Sequence, residues 1–181
     1  IGCRGGGSGA FGRTTDFFAT GINGTGPNVA IRCTWSLNAT THIVGGGAVY
    51  GGIYRTTNNG SSWTHVLDVG NITISDLWFV DDLQGYAVGE YGDNYRTSDG
   101  GVTWQPLPPM GGSPTVFFND ALHGWTKYWR TTDGGDNWTQ MFGTPQSGVS
   151  IFFTDNDTGY VVASTGQTEK STDGGVTWAN V

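Results

Sequence analysis

The chain has 181 residues, room for one domain, with 32 glycines, 13% aromatic residues including eight Trp, and 13% charged residues. Glu and Lys occur twice each and Leu six times; helix formers are scarce beside β-branched and aromatic residues, which excludes helical bundles, coiled coils and multi-helix βαβ folds. A net charge of −7 opposes nucleic acid, no apolar run could form a membrane-crossing helix, and the aromatic content argues against disorder; an all-β protein is expected, with no nucleic-acid partner and no membrane span.

Residues 1–28 read as a glycine-rich arm or partial blade, in which residues 11–16 (FGRTTD) echo a strand entering a turn. The chain opens at Ile1 without an apolar leader and is expected to be a mature or processed form. Cys3 and Cys33 stand 30 positions apart. A disulfide between them would close a loop worth roughly 2–4 kcal/mol; two unrelated thiols are the alternative.

From residue 29 onward the sequence repeats. Four segments align without gaps: residues 56–63 (TTNNGSSW), 97–104 (TSDGGVTW), 131–138 (TTDGGDNW) and 171–178 (STDGGVTW). Their tryptophans, Trp63, Trp104, Trp138 and Trp178, are spaced 41, 34 and 40 apart, a period typical of stacked supersecondary units. Upstream of the last three, Asp81, Asp120 and Asp155 each stand four residues before a glycine–aromatic pair, Gly85 and Tyr86, Gly124 and Trp125, or Gly159 and Tyr160. The short spacing matches a deletion in the hairpin between Trp125 and Arg130. The first unit fits more loosely, with Trp35 read at the Phe79 position.

Each unit reads as four short antiparallel strands with Gly or Asp turns. A lone four-stranded meander cannot bury both faces, whereas radial repetition does. The expected architecture is a β-propeller of four-stranded blades, with units at about 29–67, 68–108, 109–143 and 144–181. The unit, with its (S/T)-x-D-G-G-x-T-W segment, resembles the Asp-box repeat of the Ycf48/Hcf136-like family of BNR-type propellers. That resemblance covers about residues 29–181 and implies the propeller fold. The family's photosystem assembly factors have about seven blades, and four are evident here, so their role does not carry over from sequence.

The box residues Asn58, Gly60, Asp99, Gly101, Asp133, Gly135, Asp173 and Gly175 are expected to be structural. The acidic side chain would accept backbone N–H bonds as in an Asx turn, the glycines would supply positive φ, and the tryptophan would pack between sheets. Asn58 keeps the acceptor, which suits hydrogen bonding rather than acid–base chemistry. Asp-boxes also occur in sialidases and xyloglucan-cleaving glycosidases, and a hydrolase needs two carboxyls across one bond. Glu90 and Glu169 are the only glutamates available, and no catalytic residue, metal or cofactor is expected. The turn beginning at Asp155 resembles a calcium loop, but Gly166 stands where the distal Glu is needed. His42, His65 and His123 lack zinc-ligand spacing.

Arg55, Arg96, Arg130 and Lys170 occupy one repeat position and could contact an anionic partner, or could be plain solvated strand residues. Six Asn-x-Ser/Thr sequons, at Asn23, Asn38, Asn59, Asn71, Asn137 and Asn156, fit a glycosylated surface or simply turn-rich composition. The functional expectation is a non-enzymatic, extracellular or cell-surface (or periplasmic) module that binds a protein or glycan. The alternatives are a self-assembling structural subunit of a filament or virion surface, and an Asp-box glycoside hydrolase.

Overall fold

The structure is a computed structural model and describes residues 29–47, 51–111, 115–141 and 148–181. Among the described residues, sixteen strands form four separate four-stranded sheets and there is no helix. Blade 1 comprises β1 (Ala30–Ser36), β2 (His42–Gly47), β3 (Gly51–Thr56) and β4 (Thr64–Gly70). Blade 2 comprises β5 (Ile74–Phe79), β6 (Gly85–Gly89), β7 (Asn94–Thr97) and β8 (Gln105–Leu107). Blade 3 comprises β9 (Val116–Phe118), β10 (Gly124–Thr126), β11 (Trp129–Thr131) and β12 (Thr139–Gln140). Blade 4 comprises β13 (Gly148–Phe153), β14 (Gly159–Ala163), β15 (Thr168–Ser171) and β16 (Ala179–Asn180). Each sheet is a simple antiparallel meander in sequence order, so the fold is that of a four-blade β-propeller.

Register makes the repeat quantitative. Ile43 pairs with Arg55, Tyr86 with Arg96, Trp125 with Arg130 and Tyr160 with Lys170. On the inner strands Trp35, Trp78, Phe117 and Phe152 face those same second-strand residues. Trp35 is therefore the counterpart of Trp78, one residue away from the Phe79 position expected from sequence. Ser36 holds the Phe79 position, and His42 holds the place of Gly85, Gly124 and Gly159.

That substitution has a packing reason. In blade 4 a β-carbon on Gly159 would lie 2.5 Å from Phe153 Cε1, and Gly85 meets Phe79 in the same way. The ring lies across bare backbone, which only glycine permits. Blade 1 lacks the ring, and His42 occupies the space instead, with Nδ1 2.8 Å from Ser36 Oγ and Nε2 3.1 Å from Asn59 Oδ1. The landmark pair Phe–Gly has become Ser–His.

The core lies between blades, in three successive apolar clusters centred on Ile43, Ile74 and Phe79, on Tyr86, Val88 and Phe118, and on Trp125, Ile151 and Phe153. Tyr86 stacks face to face on Phe118 of the next blade at 3.5 Å, and Trp125 on Phe153 at 3.9 Å. In blades 2, 3 and 4 the box tryptophan meets its own blade's phenylalanine edge-on: Trp104 with Phe79, Trp138 with Phe118 and Trp178 with Phe153, all near 6 Å between centroids. A second aromatic line runs through the inner strands, from Trp35 to Trp78 (5.3 Å), to Phe117 (4.6 Å), to Phe152 (5.2 Å).

Candidate interaction surface

The Asp-boxes form the turns between third and fourth strands, and their side chains are spent internally. In blade 2 the Thr97 hydroxyl donates to Asp99 Oδ1 (2.8 Å) while its oxygen accepts from Gly101 N–H (2.9 Å). Asp99 also accepts from Val102 N–H, Thr103 N–H and the Thr103 hydroxyl, the last at 2.6 Å. Asp173 repeats the set with Ser171, Val176 and Thr177. Asp133 uses the Asn137 amide in place of the second hydroxyl (2.8 Å). Gly100 and Gly101 take φ of 69° and 77°, values that a side chain disfavours. In blade 1 the polarity of one bond is inverted: the Asn58 amide donates to Ser62 Oγ at 2.9 Å.

These bonds hold the carboxylates in the charged form. The Thr177 hydroxyl, then its N–H, bring Asp173 down to about 2 against slight desolvation. For Asp99, desolvation pushes upward but is outweighed by the Thr103 hydroxyl and N–H, so the group sits below its ordinary value. Asp133 is lowered first by the Asn137 amide.

The turns between first and second strands lie at the same end and carry a second Asx motif. Asp81 accepts from Leu83 and Gln84 N–H, Asp120 from Leu122 and His123, and Asp155 from Asp157 and Thr158. Asn38 completes the series, accepting from Thr40 and Thr41 N–H; sequence reading missed it because an Asn in an irregular unit carries no Asp–Gly signature. Asp155 here is an Asx turn, and among the described residues no group of three His, Cys, Asp or Glu side chains converges.

Arg55, Arg96 and Arg130 reach across to the following blade. Arg55 Nε donates to the Gly100 carbonyl at 3.0 Å, and Arg96 Nη1 donates to the Gly134 carbonyl at 3.1 Å. Both carbonyls belong to the next blade's Asp-box. Arg130 Nη1 lies against Gly174, whose carbonyl accepts instead from the Trp125 indole at 2.9 Å. Tyr86 adds a bond to the Ala121 carbonyl at 3.0 Å. Arg96 also pairs with Asp136 at 3.1 Å on a partly exposed surface. Arg55 itself lines a cleft together with Thr56, Ser62, Thr64 and Val102. Lys170, in the last blade, lies over the Tyr160 ring at 5.7 Å.

Between blades 3 and 4 a polar network joins the turns: the Asn156 amide donates to Asp120 Oδ2 (3.0 Å) and the Asn119 amide to Asn156 Oδ1 (3.3 Å), with His123 Nδ1 2.9 Å from Asp120. Asp120 is held well below the usual carboxylate range by the His123 and Leu122 N–H groups and the Asn156 amide, which outweigh desolvation.

Antiparallel strands put the hairpins between second and third strands at the opposite end. Here Glu90 is exposed and Tyr91 is 77% exposed, Lys127 lies 4.7 Å over the Tyr128 ring, and Thr165 to Gln167 turn through Gly166 at φ 86°. Glu90 follows β6 on blade 2 and Glu169 lies on β15 of blade 4, with blade 3 between them in the sequence. Cys33 is a buried thiol with Sγ 3.8 Å from the Ile74 carbonyl, its acidity suppressed by burial and by Asp76; Cys3 lies outside the described residues, as does Asn23. Of the other sequons, the Asn137 and Asn156 amides are hydrogen-bonded internally, Asn38 and Asn59 accept bonds through their side-chain oxygens, and Asn71 is exposed beside Gly70.

No protein-family model matches this sequence, and no curated protein matches it. Solved structures do. The chain is similar to Ycf48 bound to a D1 peptide, with 18% identity and a TM-score of 0.63 over 84% of this chain and 53% of that one. It is similar to Ycf48 from Cyanidioschyzon merolae, with 16% identity and a TM-score of 0.60 over 84% and 56%. It is also similar to the GH74 xyloglucanase from Xanthomonas campestris, with 14% identity and a TM-score of 0.60 over 80% of this chain and 28% of the enzyme. The chain spans about half the length of the Ycf48 structures. The likeness is one of fold: this is a Ycf48-like β-propeller in architecture.

Proposed function

We propose that this chain is a non-enzymatic propeller module that binds a protein partner through the hairpins opposite its Asp-boxes, outside the cytoplasm. The observation that carries the reading is the division of labour between the two ends. At the box end the aspartates are saturated by turn donors, and Arg55 and Arg96 are bonded to the next blade. At the other end Tyr91 projects beside Glu90, an exposed aromatic of the kind that anchors interfaces. Loops on a rigid scaffold are where binding residues concentrate. A propeller of the same fold has been solved with a peptide bound, which supports a peptide or protein ligand over a sugar. Exposure of Asn71 suits a glycosylated secreted surface.

The test is selection of a displayed peptide library on the immobilised chain, with glycan arrays in parallel. Enriched peptides that lose at least tenfold in affinity on Tyr91→Ala support the reading. Enrichment indifferent to Tyr91 and Glu90, or binding confined to glycans, contradicts it. The GH74 likeness keeps a hydrolase as the second reading; release of reducing sugar from xyloglucan, lost on Glu169→Gln, would favour it.

A further inference from the structure

The joint between blades 1 and 2 differs from the joint between blades 2 and 3 at the arginine. Arg96 Nη1 stands 3.1 Å from a carboxylate oxygen of Asp136, the residue that follows the second box glycine of blade 3. The residue in that place beside Arg55 is Val102, which is half exposed. Among the described residues no carboxylate pairs with Arg55. Its Nε donates to the Gly100 carbonyl. The two terminal nitrogens, a pair that matches the two oxygens of a carboxylate, lie outside that bond.

A second substitution falls on the same spot. Arg55 and Val102 line a cleft together with Thr57, Ser62 and Thr64, and the box turn that borders it carries Asn58 where the other boxes carry Asp99, Asp133 and Asp173. The turn therefore brings no negative charge to the cleft. It also turns a hydroxyl round. Thr103 and Thr177 donate their hydroxyl protons to the box carboxylate, whereas Ser62 Oγ accepts from the Asn58 amide at 2.9 Å and keeps its own proton to donate. Thr57 and Thr64 add two more hydroxyls to the wall.

We propose that this cleft binds a carboxylate group carried by a ligand, with the Arg55 guanidinium as its counter-ion and the Ser62 hydroxyl as a second donor. The chain demonstrates the fit at the next joint, where Asp136 supplies the same group to Arg96 from within. The cleft has a volume of about 210 Å³, room for a carboxylate and the short stem that bears it, and less than the roughly 300–1,000 Å³ of a site that encloses a whole drug-sized molecule. A net charge of −7 disfavours multiply charged anions and leaves the single charge of a carboxylate as the better match for one guanidinium. The site lies at the box end, and the inference is independent of what the opposite hairpins bind.

Titration of the 181-residue chain with sodium acetate, followed by proton–nitrogen NMR at constant ionic strength, tests it. The Arg55 Nε–H and the Ser62 and Val102 backbone N–H signals should shift saturably, with a dissociation constant on the order of 10 mM, as suits a single charged contact at an open cleft. Val102→Asp supplies an internal carboxylate as Asp136 does, and Asn58→Asp restores the box charge and recaptures the Ser62 proton; each should weaken acetate binding by about fivefold or more. Val102→Asn, of the same size as Val102→Asp but uncharged, should leave binding within about twofold of the parent, and both positions are exposed turn residues whose substitution leaves the spectrum dispersed. A glutamyl peptide amide run in parallel identifies the source: binding equal to that of acetate assigns any accessible carboxylate, and binding about tenfold tighter assigns an acidic side chain of a partner. Shifts that never saturate overturn the proposal. So do shifts that survive Val102→Asp, or inorganic phosphate bound more tightly than acetate.

Discussion

Arg96 on the third strand of blade 2 donates from Nη1 to the carbonyl of Gly134, the first glycine of the Asp-box in blade 3, at 3.1 Å. Arg55 makes the equivalent reach to Gly100. The two halves of the repeat, R-T and D-G-G, are thus complementary across blades. The cation of one unit satisfies a carbonyl that the next unit's left-handed glycine turns outward.

The boxes make stability depend on pH in a defined direction. Asp173 titrates near 2 in the folded chain, against about 3.9 when unfolded. A depressed folded value means that the contribution is complete above about pH 4 and is lost as pH falls toward 2. Asp99, Asp133 and Asp120 are shifted the same way. The urea midpoint should fall between pH 5 and pH 2.5, and Asp173→Asn should flatten part of that slope. A midpoint constant over this interval would contradict the account.

Phenylalanine over glycine should behave as one unit. Gly85→Ala drives a β-carbon into the Phe79 ring and is expected to cost about 1–3 kcal/mol, the range for overpacking. In blade 1 the compensating pair is Ser36 and His42. Ser36→Phe alone should destabilise, and adding His42→Gly should recover more than half of the loss. Simple additivity of the two in urea denaturation would show that they are not coupled.

Cys33 should be inert. Its thiol is 4% exposed and its ionisation is suppressed by burial, and the thiolate is the reactive species. Iodoacetamide at pH 8 should leave it unmodified in the folded chain and alkylate it in urea, as read by mass spectrometry. Rapid labelling of the native protein would contradict this packing.

The repeat, its phase at the boxes and the four-stranded blades were legible because Asp, Gly and Trp recur at fixed offsets, each demanded by a local turn. Blade 1 was harder. With Ser36 in place of Phe and His42 in place of Gly, the marker for the inner strand is gone, and Trp35 attracts the alignment one residue out of register. Asn38 escaped for the same reason. The arginines stood out as a set, but their role depends on carbonyls 38 to 45 residues away on another blade, which no local pattern encodes. The exposed Tyr91 hairpin was legible only as a loop, since its standing as a binding surface depends on what the opposite end has already used.

The most direct test of the interlocked repeat is the unfolding free energy of Arg96→Met beside Lys170→Met, each measured with urea. Arg96 holds a box carbonyl of the following blade, and Lys170 has no following blade within the described chain. The account predicts a loss of about 1.5–3 kcal/mol for Arg96→Met, the range for hydrogen bonds from charged donors, and less than about 0.5 kcal/mol for Lys170→Met, as for an ordinary surface change. Equal losses, or an Arg96→Met chain as stable as its parent, would contradict it.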